Sequence, residues 1–159
     1  MSDAATLDRH PHARAVVGPV LEGRSEPSHA YLFHGPPGAG KAQAARELAA
    51  ALLAEGAADP QAVRERVGRE AHPDLTWVRA SGAHGIRIDD IEEPVVSAAS
   101  RTPFEARRRV FVIEGADLLG DEAANRMLKT LEEPASFAHL VLLTSRPAIG
   151  AERTRTITR

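Results

Sequence analysis

The chain has 159 residues, of which 43% are hydrophobic and 26% are charged. This composition excludes a disordered chain, and the length suits a single domain with one core. A net charge of −2 argues against a domain that binds DNA alone, and 4% aromatic residues argue against stacking platforms for single-stranded nucleic acid. The absence of cysteine excludes disulfides and cysteine zinc sites. With no long apolar stretch and no signal peptide over residues 1–10, we expect a cytoplasmic protein.

The first half of the sequence alternates predicted helices and strands around one glycine-rich segment. A lead-in segment, residues 1–28, contains a short predicted helix over 13–21. An apolar strand over 30–33 then enters Gly-Pro-Pro-Gly-Ala-Gly-Lys, and apolar residues at helical spacing predict a helix that ends near Gly56. The sequence next predicts a short helix over 62–67 and a strand over 74–80.

The second half continues this alternation. Asp90 and Glu93 fit a capping box, which predicts a helix that begins there, tolerates Pro94 in its first turn and buries three apolar side chains: Ile91, Val95 and Ala99. Strands are predicted over 110–113 and 140–143, and a helix that ends at Pro134 lies between them. Alternating strands and helices predict an α/β fold with a central parallel sheet flanked by helices. The expected core residues are Leu32, Phe33, Leu48, Leu52, Val110, Val112, Met127, Leu128, Leu131, Val141 and Leu143.

The glycine-rich segment matches a phosphate-binding P-loop, also called Walker A. Strand, glycine turn, lysine and helix occur in the required order, so backbone N–H groups and the Lys41 ammonium can face phosphate oxygens. Ala42, however, stands where the motif has Ser or Thr, whose hydroxyl binds Mg²⁺. The motif is therefore degenerate for ATP binding. The candidate nucleotide-binding residues are Gly35, Gly38, Ala39, Gly40, Lys41 and Ala42.

The strand over 110–113 leads into a second altered position. A working ATPase presents Asp there for the magnesium shell, followed by Glu to orient the attacking water, whereas this chain has Glu114 and Gly115. Glu114 can reach a metal through water, or it is a solvated carboxylate at a strand end. We therefore expect negligible ATP hydrolysis, weak or absent binding of ATP and magnesium, no resident metal and no zinc.

Three sequence blocks resemble the bacterial clamp-loader AAA+ family of DNA polymerase III. They are residues 29–33 before the P-loop, His72-Pro73-Asp74, and residues 123–134, Ala-Ala-Asn-Arg-Met-Leu-Lys-Thr-Leu-Glu-Glu-Pro, which are the most specific. The resemblance spans 29–145 and implies a three-layer P-loop fold with its AAA+ core over 29–147. The altered catalytic positions most resemble the delta-prime branch, which implies a catalytically silent stator.

This resemblance also implies partners. They are the clamp-loader ATPase subunits, the delta subunit and, through the complex, the sliding clamp and primer-template DNA. The holoenzyme is a DNA-directed DNA polymerase, a nucleotidyltransferase. The alternatives are an ATP-hydrolysing gamma/tau-like motor with an unusual metal site and an unrelated P-loop protein such as a nucleotide kinase, which does not explain residues 123–134.

The end of the sequence departs from the family pattern. Relatives place a trans-acting arginine finger in a Ser-Arg-Cys motif, for which Arg159 is the preferred equivalent, with Arg155 or Arg153 as alternatives; a basic solvated tail is the competing interpretation. We expect residues 148–159 to be irregular and the fifth strand, lid and collar to be missing. The strand over 29–33 should then be an open sheet edge, so the chain self-associates unless residues 1–28 or the tail cover it.

Overall fold

The computed structural model describes residues 7–80 and 82–145 and, as backbone, the strand over 155–158. The helices are α1 (Pro11–Leu21), α2 (Lys41–Ala54), α3 (Pro60–Gly68), α4 (Ile88–Ile91) and α5 (Asp121–Glu132). The strands are β1 (Ala30–His34), β2 (Leu75–Arg79), β3 (Arg109–Glu114), β4 (Ala138–Thr144) and β5 (Arg155–Thr158). Among the residues described, no helix is both long and apolar enough to cross a membrane.

The strands form one parallel sheet in the order β2-β3-β4-β1-β5. Side chains alternate between the two faces of each strand, and the core is accordingly divided in two. On β3, Val110 and Val112 pack with α1, α2 and α3, whereas Phe111 and Ile113 pack with α5 and the segment over 86–99. Helices therefore cover both faces of the sheet. This arrangement confirms the predicted three-layer α/β P-loop fold of the AAA+ type.

The open sheet edge predicted at β1 is wrong. Residues Tyr31 to His34 pair in parallel with β5, which lies beside β1 where the AAA+ resemblance places a fifth strand. Pairing satisfies backbone N–H and C=O groups that an edge strand would expose, so the argument for self-association no longer applies. The tail predicted to be irregular contains this strand; its other members, 148–154 and Arg159, lie outside the described residues.

The helix predicted to begin at Asp90 begins two residues earlier, at Ile88. The Asp90 carboxylate accepts a hydrogen bond of 2.8 Å from the backbone N–H of Arg87, so Asp90 occupies the third helical position instead of the cap. The helix widens into a π-helix over Glu92–Ser97 and ends as a 3₁₀ turn over Ala98–Ser100. Pro94 lies in the widened part and supplies no N–H. The predicted inward residues Ile91, Val95 and Ala99 are buried.

Leu128 was predicted to be in the core, but its side chain lies at the surface with 42% exposure. Helix α5 buries Ala123 and Met127 instead, and Leu131 packs beside them.

Truncating Leu128 to Ala should therefore lower the free energy of unfolding by less than about 1 kcal/mol. Met127→Ala is the matched control on the same helix and should cost clearly more. Urea unfolding of both variants tests this, and equal losses would contradict the assignment of the buried face.

The His-Pro-Asp block organises a turn ahead of β3. Asp74 is 2% exposed, and its carboxylate accepts the backbone N–H groups of Phe104, Glu105 and Ala106 at 2.5, 2.9 and 2.7 Å. The backbone N–H of Asp74 donates in turn to Nδ1 of His72 at 3.0 Å. Phe104, at the tip of this turn, is 84% exposed. A single buried carboxylate thus fixes the backbone of a surface turn thirty positions away in the sequence.

Candidate nucleotide site

The phosphate loop joins β1 to α2 at the carboxyl edge of the sheet. The backbone N–H of Gly35 donates to the carbonyl of Thr144 on β4 at 3.2 Å, which ties the start of the loop to the sheet. Gly40 has φ +92° and forms the N-cap of α2, a left-handed conformation that favours glycine. Lys41 is the first residue of α2. The local sequence therefore produces the strand, turn and helix N-terminus that a phosphate site requires.

Lys41 is held by the loop itself. Its ammonium donates to the carbonyl oxygens of Gly35 and Pro36, the latter at 3.1 Å. Burial lowers the pKa of Lys41, and the nearby carboxylates of Asp117 and Glu114 act in the opposite direction. The ammonium therefore faces the cleft with acidic groups across from it.

The loop borders a cleft of about 570 Å³. The opposite wall comes from the ends of β3 and β4, because the carboxyl ends of parallel strands meet at one edge of the sheet. Five of the six predicted binding residues line this cleft, and Gly35 lies at the foot of the loop. The lining residues are Pro37, Gly38, Ala39, Gly40, Lys41, Ala42, Gln43, Arg46, Glu114, Gly115, Asp117, Leu143, Thr144 and Ser145.

Asp117 and Thr144 belong to the site, although the sequence argument did not single them out. The Thr144 hydroxyl donates to Asp117 Oδ1 at 3.2 Å, and the backbone N–H of Ser145 approaches the same oxygen at 3.4 Å. Thr144 is the last residue of β4, and Asp117 lies three residues after the end of β3. Their position at the carboxyl ends of buried strands is the signal that could have identified them. Their contact joins the loop after β3 to the end of β4 across the cleft.

Glu114 lines the cleft, but one of its two carboxylate oxygens already has partners. Its Oε2 accepts a hydrogen bond from Trp77 Nε1 at 2.7 Å and lies 2.7 Å from Nε of Arg79. Arg79 stands directly opposite Glu114 in the β2–β3 register, and Trp77 lies on the same face of β2 two residues earlier. The sequence left open a water-mediated metal ligand or a solvated carboxylate, and that choice stays a prediction; the structure adds the ion pair with Arg79, beside which the Glu114 side chain keeps 36% exposure.

A second carboxylate extends the network. Glu70 pairs with Arg79 at 2.5 Å and with Arg46 at 3.0 Å, and hydrogen bonds from Arg79 chiefly lower the pKa of Glu70 to about 2. The guanidiniums of Arg46 and Arg79 lie 4.9 and 5.1 Å from the centre of the Trp77 ring. The edge of the site at β2 is therefore an ionic cluster that is neutralised internally.

The side chains present do not fit a magnesium ion of the kind a P-loop ATPase holds. Ala42 has no hydroxyl, Gly115 has no carboxylate to orient water, and one oxygen of Glu114 is occupied. Within residues 7–80 and 82–145, no group of three or more His, Asp or Glu side chains could hold a metal ion. We therefore assign no magnesium-dependent chemical step to this cleft.

The candidate arginine fingers fall at the end of the chain. Arg155 lies in β5, where its backbone pairs with Tyr31. Arg153 and Arg159 lie outside the described residues. The assignment of a finger among these three arginines thus stays a prediction.

The fold and the glycine loop together define a P-loop module of the AAA+ type. A sequence model of the family described as DNA polymerase III, delta subunit, matches residues 22–151. This match covers most of the chain, and the chain belongs to that family.

Relatives and a solved structure agree with this assignment. The chain is 34% identical to DNA polymerase III subunit delta' of Pseudomonas aeruginosa, over 80% of this chain and 40% of that protein. It is 37% identical to subunit delta' of Bacillus subtilis, over 76% of this chain and 37% of the relative, and 33% identical to the tau subunit of that organism, over 76% and 22%. A DNA polymerase III gamma subunit-related protein from Thermotoga maritima has the same fold, with a TM-score of 0.67 at 17% identity over 91% of this chain and 45% of that one. The chain thus spans about two fifths of the delta' relatives.

Proposed function

We propose that this chain is the nucleotide-fold module of a DNA polymerase III clamp-loader subunit of the delta-prime kind. In this role it is a catalytically silent stator that contacts an ATPase neighbour during loading of the sliding clamp onto primed DNA. The observation that carries the proposal is the pair of missing side chains at Ala42 and Gly115, in a cleft that otherwise keeps its phosphate loop. In a working ATPase the side chain at the first position binds Mg²⁺ and the side chain at the second orients the attacking water, so losing both removes orders of magnitude in rate.

The partners follow from the same proposal. They are the ATPase subunits and the delta subunit, with the clamp and primer-template DNA reached through the assembled complex, in the cytoplasm. A trans-acting arginine from the end of this chain completes the neighbour's site. The net charge of −2 supports indirect contact with DNA, because proteins that grip DNA alone usually have a basic excess.

An ATPase assay tests the proposal. We expect phosphate release by the purified chain to equal that of a Lys41→Ala control, with and without Mg²⁺. We also expect Mg²⁺ with ATP to leave the Tm unchanged, because only a ligand that binds the native state raises it. Restoring Ala42→Ser together with Gly115→Glu should increase nucleotide binding but produce little turnover without a neighbour's arginine.

The competing function is an ATP-hydrolysing motor of the gamma/tau kind. Its support is the intact loop through Lys41 and the 33% identity to the Bacillus subtilis tau subunit. Magnesium-dependent phosphate release that disappears in Lys41→Ala would establish this motor and reject the silent module.

A further inference from the structure

The carboxylate at the metal position of the cleft already has a cation beside it. We propose that Arg79 takes the place of a divalent metal as the counter-charge of Glu114, so that the site excludes magnesium even at the carboxylate that occupies the metal position at the end of β3. Both Arg79 Nε and Trp77 Nε1 lie 2.7 Å from the same oxygen, Oε2. Magnesium binds carboxylate oxygens at about 2.0–2.1 Å in near-ideal octahedral geometry. It could use this oxygen only if the two nitrogen donors withdrew.

The position of Arg79 follows from the sheet. Parallel pairing of β2 with β3 sets Arg79 opposite Glu114, so the contact does not depend on a flexible loop. Glu70 holds the far side of the guanidinium through hydrogen bonds of 2.8 and 2.5 Å. Trp77 completes the arrangement, since its indole N–H donates to Glu114 while its ring lies 5.1 Å from the guanidinium carbon.

The positive charge of Arg79 also disfavours magnesium at Glu114. A dication on Glu114 would lie close to the fixed positive charge of Arg79, and like charges at such distances repel. Glu70 cannot compensate, because its carboxylate already pairs with Arg46 as well as Arg79. Exchanging Arg79 for magnesium would also leave Glu70 with one of its two partners.

This inference deepens the proposed function and rests on it only in treating Glu114 as the former metal position. Loss of the hydroxyl at Ala42 explains why magnesium would be held weakly. The Arg79 contact adds a separate reason, since it occupies one oxygen of the acidic ligand and places a positive charge beside it. The chain thereby has two independent obstacles to metal binding, on α2 and on β2.

A paramagnetic titration of the 159-residue chain tests the role of Arg79. Mn²⁺ has the same preference for oxygen ligands as Mg²⁺, and it broadens NMR signals of nearby nuclei even when it binds weakly. The chain has one tryptophan, so its ¹H–¹⁵N spectrum shows a single indole signal, from the N–H that contacts Glu114. We measure the part of the Mn²⁺ broadening of this signal that disappears in Glu114→Gln.

In the natural chain we expect no Glu114-dependent broadening. In Arg79→Gln we expect loss of most of the indole intensity at substoichiometric Mn²⁺, and recovery in Arg79→Gln with Glu114→Gln. Arg126→Gln, which removes an arginine paired with Glu92 at 3.0 Å, is the matched control and should behave like the natural chain. Glu114-dependent broadening in the natural chain, or its absence in Arg79→Gln, would overturn the proposal. Phosphate release is a separate readout, so the proposed function and this inference can fail independently.

Discussion

Replacing Asp74 with Ala is expected to lower the free energy of unfolding by about 3–5 kcal/mol. The carboxylate accepts three backbone N–H groups, and a hydrogen bond to a charged group contributes about 1.5–3 kcal/mol. The sum is discounted because amides of a surface turn can be hydrated once the turn opens. Burial acts to raise the pKa of Asp74, but the three N–H donors lower it below its ordinary value of 3.8. The stabilisation is therefore present above that pH and lost as the pH falls through the folded-state value.

Urea unfolding and hydrogen exchange of residues 104–106 measure this effect. Asp59→Ala is the matched control, because the exposed Asp59 carboxylate accepts one backbone N–H, at the start of α3, and its loss should cost about 1 kcal/mol. Asp74→Asn keeps one oxygen acceptor and should lie between the two. If Asp74→Ala lost no more stability than Asp59→Ala, the buried carboxylate would not be what holds the turn.

Acidification should destabilise the fold through His139. Its Nδ1 lies 2.8 Å from the carbonyl of Ser28, and its Nε2 lies 3.1 Å from a nitrogen of Arg108. Because an arginine nitrogen only donates, Nε2 must be the unprotonated acceptor and Nδ1 must carry the proton. A second proton would place two positive groups against each other. Burial, with the charge of Arg108 acting in the same direction, lowers the pKa of His139 to about 4.

The sign of the pH effect follows from this lowered pKa. Above the ordinary value of 6.5, neither the folded nor the unfolded state protonates the ring. Between 6.5 and about 4 only the unfolded state takes up the proton, so the free energy of unfolding falls as the pH falls. The loss should reach about 2 kcal/mol at pH 5 and about 3 kcal/mol below the folded-state pKa.

Urea unfolding between pH 7 and pH 4 measures the loss. His139→Asn can still donate to Ser28 and does not titrate, so the difference between the two pH profiles isolates His139. This comparison is necessary because burial also lowers the pKa of His72. Exposed His84, replaced by Asn, is the control for removing a histidine elsewhere. Parallel profiles for the natural chain and His139→Asn would refute the assignment.

Short stretches of the sequence were sufficient to predict the layers of this fold. Residues 110–113 and 140–143 are short continuous apolar runs, which is what a strand buried on both faces requires, and they became β3 and β4. The glycine loop likewise predicted the turn and the helix start at Lys41, because its motif encodes both. These elements could be predicted because the residues that determine each of them are neighbours in the sequence.

Leu128 shows where helical periodicity is ambiguous. A helix with apolar residues at 124, 127, 128 and 131 has a stripe wider than the surface that it covers. The sheet could contact either side of that stripe, and packing selected Ala123 and Met127. The position of the helix on the sheet decides which side of the stripe is buried, and the sequence of the helix alone does not specify that position.

The Arg79–Glu114 contact was missed for a related reason. The two residues are distant in sequence, and their pairing depends on the register between β2 and β3. An acidic residue at a strand end therefore looked solvated when only its own strand was considered. β5 had a usable signal, since Thr-Ile-Thr is rich in β-branched residues, but the basic residues around it suggested an irregular tail.

Strand order also constrains how the chain folds as it is synthesised. β1 is the first of the five strands described to be made, yet its neighbours β4 and β5 are the last two. Tyr31 pairs with Arg155, 124 positions later, whereas β2 and β3 are neighbours in sequence as well as in space. Long-range pairing closes slowly, because loop entropy must be overcome before contacts form. We expect β2 and β3 to pair on the ribosome while β1, with the phosphate loop behind it, stays unpaired until β4 and β5 have been synthesised.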